Sequence, residues 1–150
     1  MSVHTEVETS GCSDSLRHLE RVGLEVESLP RAFQEGGLTR QTLFNFVRER
    51  VERAPVHVLS RTGALHLRGA PTLFLEVSLS EQQPGSYLYT IGLELVQGVS
   101  LERLSESERQ FAAPTWRAQV MGVVDRAHMS LLVDQIGAAA DAFATACNAK

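Results

Sequence analysis

The residues that could carry chemistry in this chain are its histidines, cysteines and carboxylates. A helical zinc site needs two histidines four residues apart, and no pair has that spacing; no H-E-x-x-H sequence occurs either. The two cysteines, Cys12 and Cys147, stand near opposite ends of the chain and belong to no CxxC or Cys/His cluster. We therefore predict no metal site and no cofactor. The histidines are His4, His18, His57, His66 and His128.

The motifs of nucleophilic and phosphate chemistry are also missing from the sequence. No serine stands in a G-x-S-x-G turn, and neither cysteine is set among features that would make it a nucleophile. No G-x-G-x-x-G or G-x-x-x-x-G-K-[ST] loop is present to cradle a phosphate. We predict no catalytic residues, and this favours a non-enzymatic function.

The two cysteines leave two interpretations open. Cys12 has a polar setting, whereas Cys147 continues an apolar helical stripe and suits a small core residue. Two free thiols are the favoured interpretation. A disulfide between Cys12 and Cys147 is the alternative, and it would need an oxidising compartment.

Four residues are candidates for contact with a ligand or a partner: Tyr87, Tyr89, Trp116 and His57. Tyr87 and Tyr89 share one side of an alternating segment with three aliphatic residues. That row either lines a binding surface or fills a core, and we favour the core because buried strands show such rows. The same choice applies to Trp116, as a core anchor or as an aromatic contact at a rim.

The charge of the chain restricts its partners. It carries 14 basic and 18 acidic residues, a net charge of −4, which argues against nucleic-acid binding and against a polybasic membrane anchor. Arginines 40, 48, 50 and 53 alternate with glutamates 49 and 52, which is typical of a solvated helix face. No apolar run is long enough to span a membrane.

The start of the sequence bears on the location. It is polar and lacks the basic and apolar regions of a signal peptide. Taken literally, the chain is cytoplasmic. With a signal peptide already removed, it would be periplasmic or secreted.

The elements that must position these residues follow from periodicity. Alternating apolar residues predict five strands, and spacings of three and four predict two helices. The first helix begins after Thr39 as N-cap and stops at Pro55. We interpret "LPRAFQEGG" as a loop, and Pro84–Gly85 as the turn of an antiparallel hairpin. The strands are "RVGLEVES", "VHVLS", "TLFLEVSLS", the segment from Gly85 to Leu95, and "TWRAQVMGVV".

The predicted fold is α+β. We expect one mixed, mostly antiparallel sheet of about five strands with two helices on one face, in the order β-α-β-β-β-β-α. Residues 1–15 are polar and without periodicity, so we predict a disordered N-terminal arm. Residues 16–150 would then form a single domain.

A resemblance rests on several stretches taken in order. These are "LTR" before the first helix, "GAP" before "LFLEV", "LELVQGVSLER", and "TW" opening the last strand. In that order they resemble a family of small, uncharacterised exported bacterial proteins, over the part of the chain from Val22 onward. The order of elements is also similar to the amino-terminal domain of TolB. The resemblance implies a periplasmic protein-interaction domain and names no catalytic residue.

The hypothesis that follows is a non-enzymatic module that binds another protein or assembles with itself. Its motivation is the lack of catalytic motifs together with a long hairpin that has free edges. The alternative is a small-molecule binder or hydrolase. It would use a pocket between sheet and helices with His57, Tyr89 or Trp116 at the mouth.

Overall fold

The computed structural model describes residues 6–59, 71–100, 103 and 111–149. They form an α+β fold with one mixed six-stranded sheet and three α-helices. The strands lie in the order β1-β6-β5-β4-β2-β3. The elements are β1 (Glu8–Gly11), β2 (Arg21–Val26), α1 (Arg31–Glu35), α2 (Arg40–Val51), β3 (His57–Leu59), β4 (Thr72–Gln83), β5 (Ser86–Val99), β6 (Phe111–Asp125) and α3 (Ser130–Asn148).

The predicted hairpin is the centre of the sheet. β4 and β5 pair antiparallel, with Leu75 opposite Leu93 and Leu79 opposite Tyr89. Pro84 and Gly85 make the turn, and Gly85 has a φ of 80°, a conformation that L side chains rarely adopt. The matched register places both apolar rows on the same side of the sheet, as the alternation predicts.

The apolar rows form an inner face that the helices cover. α2 packs on β2, α3 packs on β5 and β6, and the two helices pack on each other. Leu43 and Val47 of α2 and Ile136 and Phe143 of α3 are 1% exposed or less, in the same core as Ile91 of β5. The expectation of two helices on one face of the sheet is confirmed for α2 and α3.

The structure adds a sixth strand to the expected five. It is β1, which lies inside residues 1–15, the segment that we expected to be disordered. All four residues of β1 are exposed, so no burial alternation marks the strand in the sequence. It is held by backbone pairing to β6 from Trp116 to Gln119. A Cβ on Gly11 would lie 2.4 Å from the Thr115 carbonyl oxygen, so only glycine fits there.

The helix order also differs, because the segment interpreted as a loop contains α1. Pro30 precedes this helix, a place where a missing N–H does no harm, and Phe33 is buried at 2% exposure. Five residues are too few to show a helical period. The Gly36–Gly37 pair that suggested a loop ends the helix instead, and Gly37 has a φ of 86°.

The start of α2 agrees with the sequence. The Thr39 hydroxyl oxygen accepts from the N–H of Thr42 at 3.1 Å, and the Thr42 hydroxyl oxygen accepts from the N–H of Thr39 at 3.0 Å. This reciprocal cap satisfies two backbone donors that the first helical turn would leave without partners.

A close approach joins α2 to α3. The Phe46 ring lies over Gly137, where an added Cβ would be 3.0 Å from the ring. The Arg50 guanidinium stacks 5.1 Å from the Phe46 centroid and donates to Asp141 at 2.7 Å. The small residues of α3 therefore allow close contact with α2 as well as with the sheet.

Candidate functional site

The four predicted contact residues divide into three that are buried and one that is exposed. Tyr87, Tyr89 and Trp116 are 7%, 5% and 5% exposed, and all three belong to the core. His57 is on the surface, in β3. The burial agrees with the interpretation of the tyrosine row as core.

Trp116 is a core anchor. It lies opposite Leu95 on the inner face, and its ring meets the Phe143 ring edge-on with centroids 5.2 Å apart. Edge-to-face pairs of this kind add stability beyond the burial of their area. The packing fixes α3 against β6 and leaves Trp116 little surface with which to contact a partner.

The two tyrosines lie at the hairpin end of β5. Tyr89 is opposite Gly122 in β6, and its ring occupies the space that a side chain at Gly122 would need. The Tyr87 hydroxyl oxygen accepts from the Arg126 guanidinium at 3.1 Å. That hydrogen bond raises the pKa of Arg126 above its ordinary value. Tyr87 thus reaches the rim of the sheet, and its hydroxyl bonds to another residue of the chain.

The structure does not bring the four residues together. β3 and β6 are four strand spacings apart in the sheet, so His57 and Trp116 are separated by about 19 Å across it. Trp116 and Gly122, the partner of Tyr89, are six residues apart along β6, about 20 Å. These positions do not form one pocket mouth.

His57 connects β3 to the end of α2. Its Nδ1 lies 3.1 Å from Glu52 Oε2, and the same carboxylate oxygen accepts from the Val58 N–H at 3.3 Å. The His57 N–H donates to the Glu20 carbonyl at 2.9 Å. These contacts close the turn from helix to strand, so a structural role accounts for this histidine.

Both cysteines are free thiols in the structure. Cys12 is exposed, and its N–H donates to the Thr115 carbonyl at 2.9 Å. Cys147 is buried, and burial raises the pKa of its thiol to about 11. A thiol held protonated in this way is a poor nucleophile.

Sequence reasoning missed an apolar patch on the outer face of the sheet, the side opposite the helices. We call Leu88, Met121 and Val123 the outer patch. Leu88 of β5 pairs directly with Val123 of β6, and Met121 lies two residues before Val123 in β6. Their exposed fractions are 38%, 52% and 62%. The sequence carries a signal for it, because the unbroken apolar run "VMGVV" is typical of a strand covered on both faces.

Charged residues lie farther along the outer face, away from the hairpin turn. Phe74, Glu94 and Arg117 stand side by side across three strands, and Glu25 of β2 continues the row. Glu76 and Glu94 point outward, as their strand positions predict. The outer face is therefore charged at one end and apolar at the hairpin end.

A groove opens where β2 meets α2, and we call it the α2 groove. Its volume is about 340 Å³. Arg40 and Arg48 lie on its helical wall on either side of Phe44, with the Arg48 guanidinium 5.9 Å from the Phe44 centroid. The lining residues are Leu24, Glu25, Val26, Arg40, Gln41, Phe44 and Arg48.

The arginines in and just after α2 make different contacts. Arg50 and Arg53 turn toward Asp141 of α3, at 2.7 and 3.6 Å. Arg48 is 3.8 Å from Glu52, a long ion pair. The solvated helix face predicted from the sequence is thus split between a helix–helix contact and the wall of the α2 groove.

Within the described ranges, no three metal-binding side chains form a group that could hold an ion. No charged side chain of these residues is buried in the core. None of the described helices combines the length and hydropathy needed to cross a bilayer.

Comparison with solved structures shows a likeness of fold. The PelC dodecamer from Paraburkholderia phytofirmans superposes with a TM-score of 0.53 at 12% sequence identity, covering 93% of this chain and 98% of that one. The likeness is one of fold. No protein-family model matches the chain, and a search of curated proteins found no match.

Proposed function

We propose that this chain is an assembly domain that associates with further copies of itself through the outer face of its sheet. The observation that carries the proposal is the fold likeness, which extends over nearly the whole of both chains to a protein solved as a dodecamer.

The outer patch supplies the apolar centre that such an interface needs. Leu88 and Val123 are a direct cross-strand pair, so with Met121 they form one continuous patch. Burying the exposed parts of these three side chains contributes about 1–2 kcal/mol each. Association itself costs several kcal/mol, so contacts made by the surrounding surface must add to the binding free energy of the patch.

The outer face is large enough for a stable interface. The six strands contain 54 residues, and each residue covers about 3.3 Å by 4.8 Å, so the face has an area of about 850 Å². This area is close to the roughly 800 Å² per partner of a standard interface. Glu94 and Arg117 at the other end of the face supply both signs of charge for a polar rim.

Native mass spectrometry and light scattering of the full chain test the proposal, with Val123→Glu as the perturbation. We expect the wild-type protein to form complexes of several copies. Val123→Glu should weaken association by more than about tenfold, because the carboxylate would be buried without a partner.

Leu131→Glu is the matched control. Leu131 is 50% exposed on α3, so the same change of an exposed apolar residue to glutamate is made on a different surface. It should leave the mass unchanged. A wild-type protein that stays monomeric at high micromolar concentration would refute the proposal, as would a Val123→Glu variant that assembles normally.

Two expectations from the sequence also belong to the proposed function. Binding of a different protein remains the second mode of action for an interaction domain. A periplasmic or secreted location also remains a prediction, which fractionation of the source cells would decide. The small-molecule alternative places His57, Tyr89 or Trp116 at the mouth of a pocket between sheet and helices. Tyr89 and Trp116 are buried in the core, and His57 does not line the α2 groove, so no observation favours this alternative.

A further inference from the structure

A polar cleft opens on the inner face of the sheet at its hairpin end, and we call it the hairpin cleft. It lies between α1 and the rim formed by β4, β5 and the residue after β6, and its volume is about 330 Å³. A cleft of this size suits a small molecule. It is not the pocket considered above, because His57, Tyr89 and Trp116 do not line it. Its polar lining consists of Arg31, Glu35, Glu81, Tyr87 and Arg126.

The inner face of β4 ends in a charge at this cleft. The inward positions of β4 are apolar as far as Leu79, and the next one is Glu81. Glu81 is opposite Tyr87 in the register, so both side chains lie on the inner face. Oε1 of Glu81 accepts from the Gly85 N–H at 3.2 Å. The turn of the hairpin thus holds a carboxylate over the cleft.

Arg126 is anchored on the other side of Tyr87. Its N–H donates to the Gly85 carbonyl at 2.9 Å, and its guanidinium donates to the Tyr87 hydroxyl oxygen at 3.1 Å. After that hydrogen bond, the negative charges of Glu81 and Glu35 also raise the pKa of Arg126. A guanidinium has several N–H donors, so Arg126 can bind a ligand while it keeps its bond to Tyr87.

The Tyr87 hydroxyl can donate as well as accept. Its oxygen accepts from Arg126, and among the residues that the structure describes no acceptor receives its O–H. The side chain is only 7% exposed, so the ring is fixed in the core while the hydroxyl reaches the rim. A carboxylate placed beside Arg126 could therefore accept from both groups.

The charged groups of the cleft are two of each sign. Arg31, Glu35, Glu81 and Arg126 are all exposed, and none of them forms an ion pair with another described residue. A ligand with charge of one sign would meet two like charges here. A ligand that carries one positive and one negative group would meet a partner for each.

The stretches outside the described ranges join the sheet away from this cleft. Residues 60–70 leave β3 level with Thr72, the first residue of β4, and the connection from β5 to β6 begins after Val99. Glu81 is nine residues along β4 from Thr72, about 30 Å. Residues 1–5 precede β1, which lies beyond β6 at the edge of the sheet.

We propose that the hairpin cleft binds a free α-amino acid with an apolar side chain. Arg126 and Tyr87 hold its carboxylate, Glu81 holds its ammonium group, and its side chain packs on Leu79 and Ala32. Glu81 and Arg126 project from opposite sides of β5, about two strand spacings or 10 Å apart. A ligand of a few ångströms, with a charged hydrogen bond of about 2.8 Å at each end, spans that distance.

Isothermal titration calorimetry of the full chain with L-leucine tests the proposal. We expect saturable binding with a Kd of about 1 mM or lower. N-acetyl-L-leucine lacks the ammonium group and L-leucine amide lacks the carboxylate, so each should bind about fivefold more weakly or worse. A capped compound that binds as tightly as leucine would overturn the proposal.

Variants of the cleft assign each contact. Arg126→Gln and Glu81→Gln should each raise the Kd for leucine by about fivefold or more, since a hydrogen bond between charged groups is lost. The preference for leucine over leucine amide should disappear in Arg126→Gln, and the preference over N-acetyl-leucine should disappear in Glu81→Gln. Tyr87→Phe keeps the ring and should also reduce the preference over leucine amide. Preferences that stay at the wild-type ratio in all three variants would refute the assignment.

Matched controls make the same changes elsewhere. Arg17→Gln and Glu49→Gln alter exposed residues outside the lining of the cleft, and each should change the Kd less than about twofold. Val123→Glu should bind leucine like wild type, because the outer patch lies on the opposite face of the sheet. The proposal fails if wild type gives no binding heat with leucine at about 10 mM, ten times the highest expected Kd.

Discussion

The contact between Tyr89 and Gly122 gives the sharpest prediction about the sheet. A Cβ placed on Gly122 would lie 2.6 Å from the Tyr89 hydroxyl oxygen and 2.8 and 2.9 Å from two ring carbons. Real Cβ atoms do not approach other atoms that closely, so the ring must move. Tyr89 is 5% exposed, and a buried ring has no free space to move into.

The expected cost follows from two opposing effects. Overpacking a core by one methyl group costs about 1–3 kcal/mol. Replacing a strand glycine with alanine raises the free energy of unfolding by roughly 0.5–1 kcal/mol, because the unfolded chain loses conformational freedom. Gly122→Ala should therefore lower the free energy of unfolding by about 1–2 kcal/mol.

Urea unfolding followed by Trp116 fluorescence measures this change. Trp116 is the only tryptophan of the chain, and it is buried against Phe143, so its emission should shift when the sheet and α3 separate. All variants are compared at one protein concentration, because assembly would add to the apparent stability.

A double-mutant cycle shows whether the ring is the cause. In a Tyr89→Leu background the shorter side chain leaves room at Gly122, so Gly122→Ala should become neutral or slightly stabilising, a coupling of at least about 1 kcal/mol. Gly92→Ala is the control, since its nearest neighbour would be 3.7 Å from the new Cβ. An equal loss with and without the Tyr89 ring would refute the reasoning.

Four further predictions concern the helices and the two cysteines. Thr39→Ala should cost about 1 kcal/mol and Thr39→Ser almost nothing, measured by urea unfolding, because serine keeps the capping oxygen. Gly137→Leu should cost about 1–3 kcal/mol in the same assay, because the new side chain meets the Phe46 ring; an unchanged midpoint would contradict that contact. A thiol reagent should label Cys12 quickly and Cys147 only after unfolding. The native pKa of Cys147 is raised from 9.0 to about 11, so the unfolded state releases this proton first. Stability should therefore fall as the pH rises from 9 to 11, and the part of that fall due to Cys147 should be absent in Cys147→Ala.

The sequence predicted the elements in which buried apolar residues recur at a regular spacing. The alternation from Tyr87 to Leu95 identified β5 and its inner face, and Thr39 identified the start of α2. Both are local signals, because each residue is judged by neighbours a few positions away. The pairing of β4 with β5 followed from the short turn between them.

The elements that could not be predicted depend on distant partners. β1 has no alternation of its own, and it is a strand because Thr9 pairs with Ala118, more than one hundred residues away. Strand order is likewise decided by long-range pairing that a single sequence does not display. α1 was missed for a different reason, since five residues are little more than one helical turn and too few for a repeated apolar spacing.

The candidate site was harder to predict than the fold, for a reason visible in β5. The large aromatic residues drew attention to Tyr87 and Tyr89, and these face the core. Leu88 between them is less conspicuous in the sequence, and it belongs to the patch that the structure exposes. On a sheet with one covered face, outward positions carry the recognition chemistry, and an apolar residue among them is the informative exception.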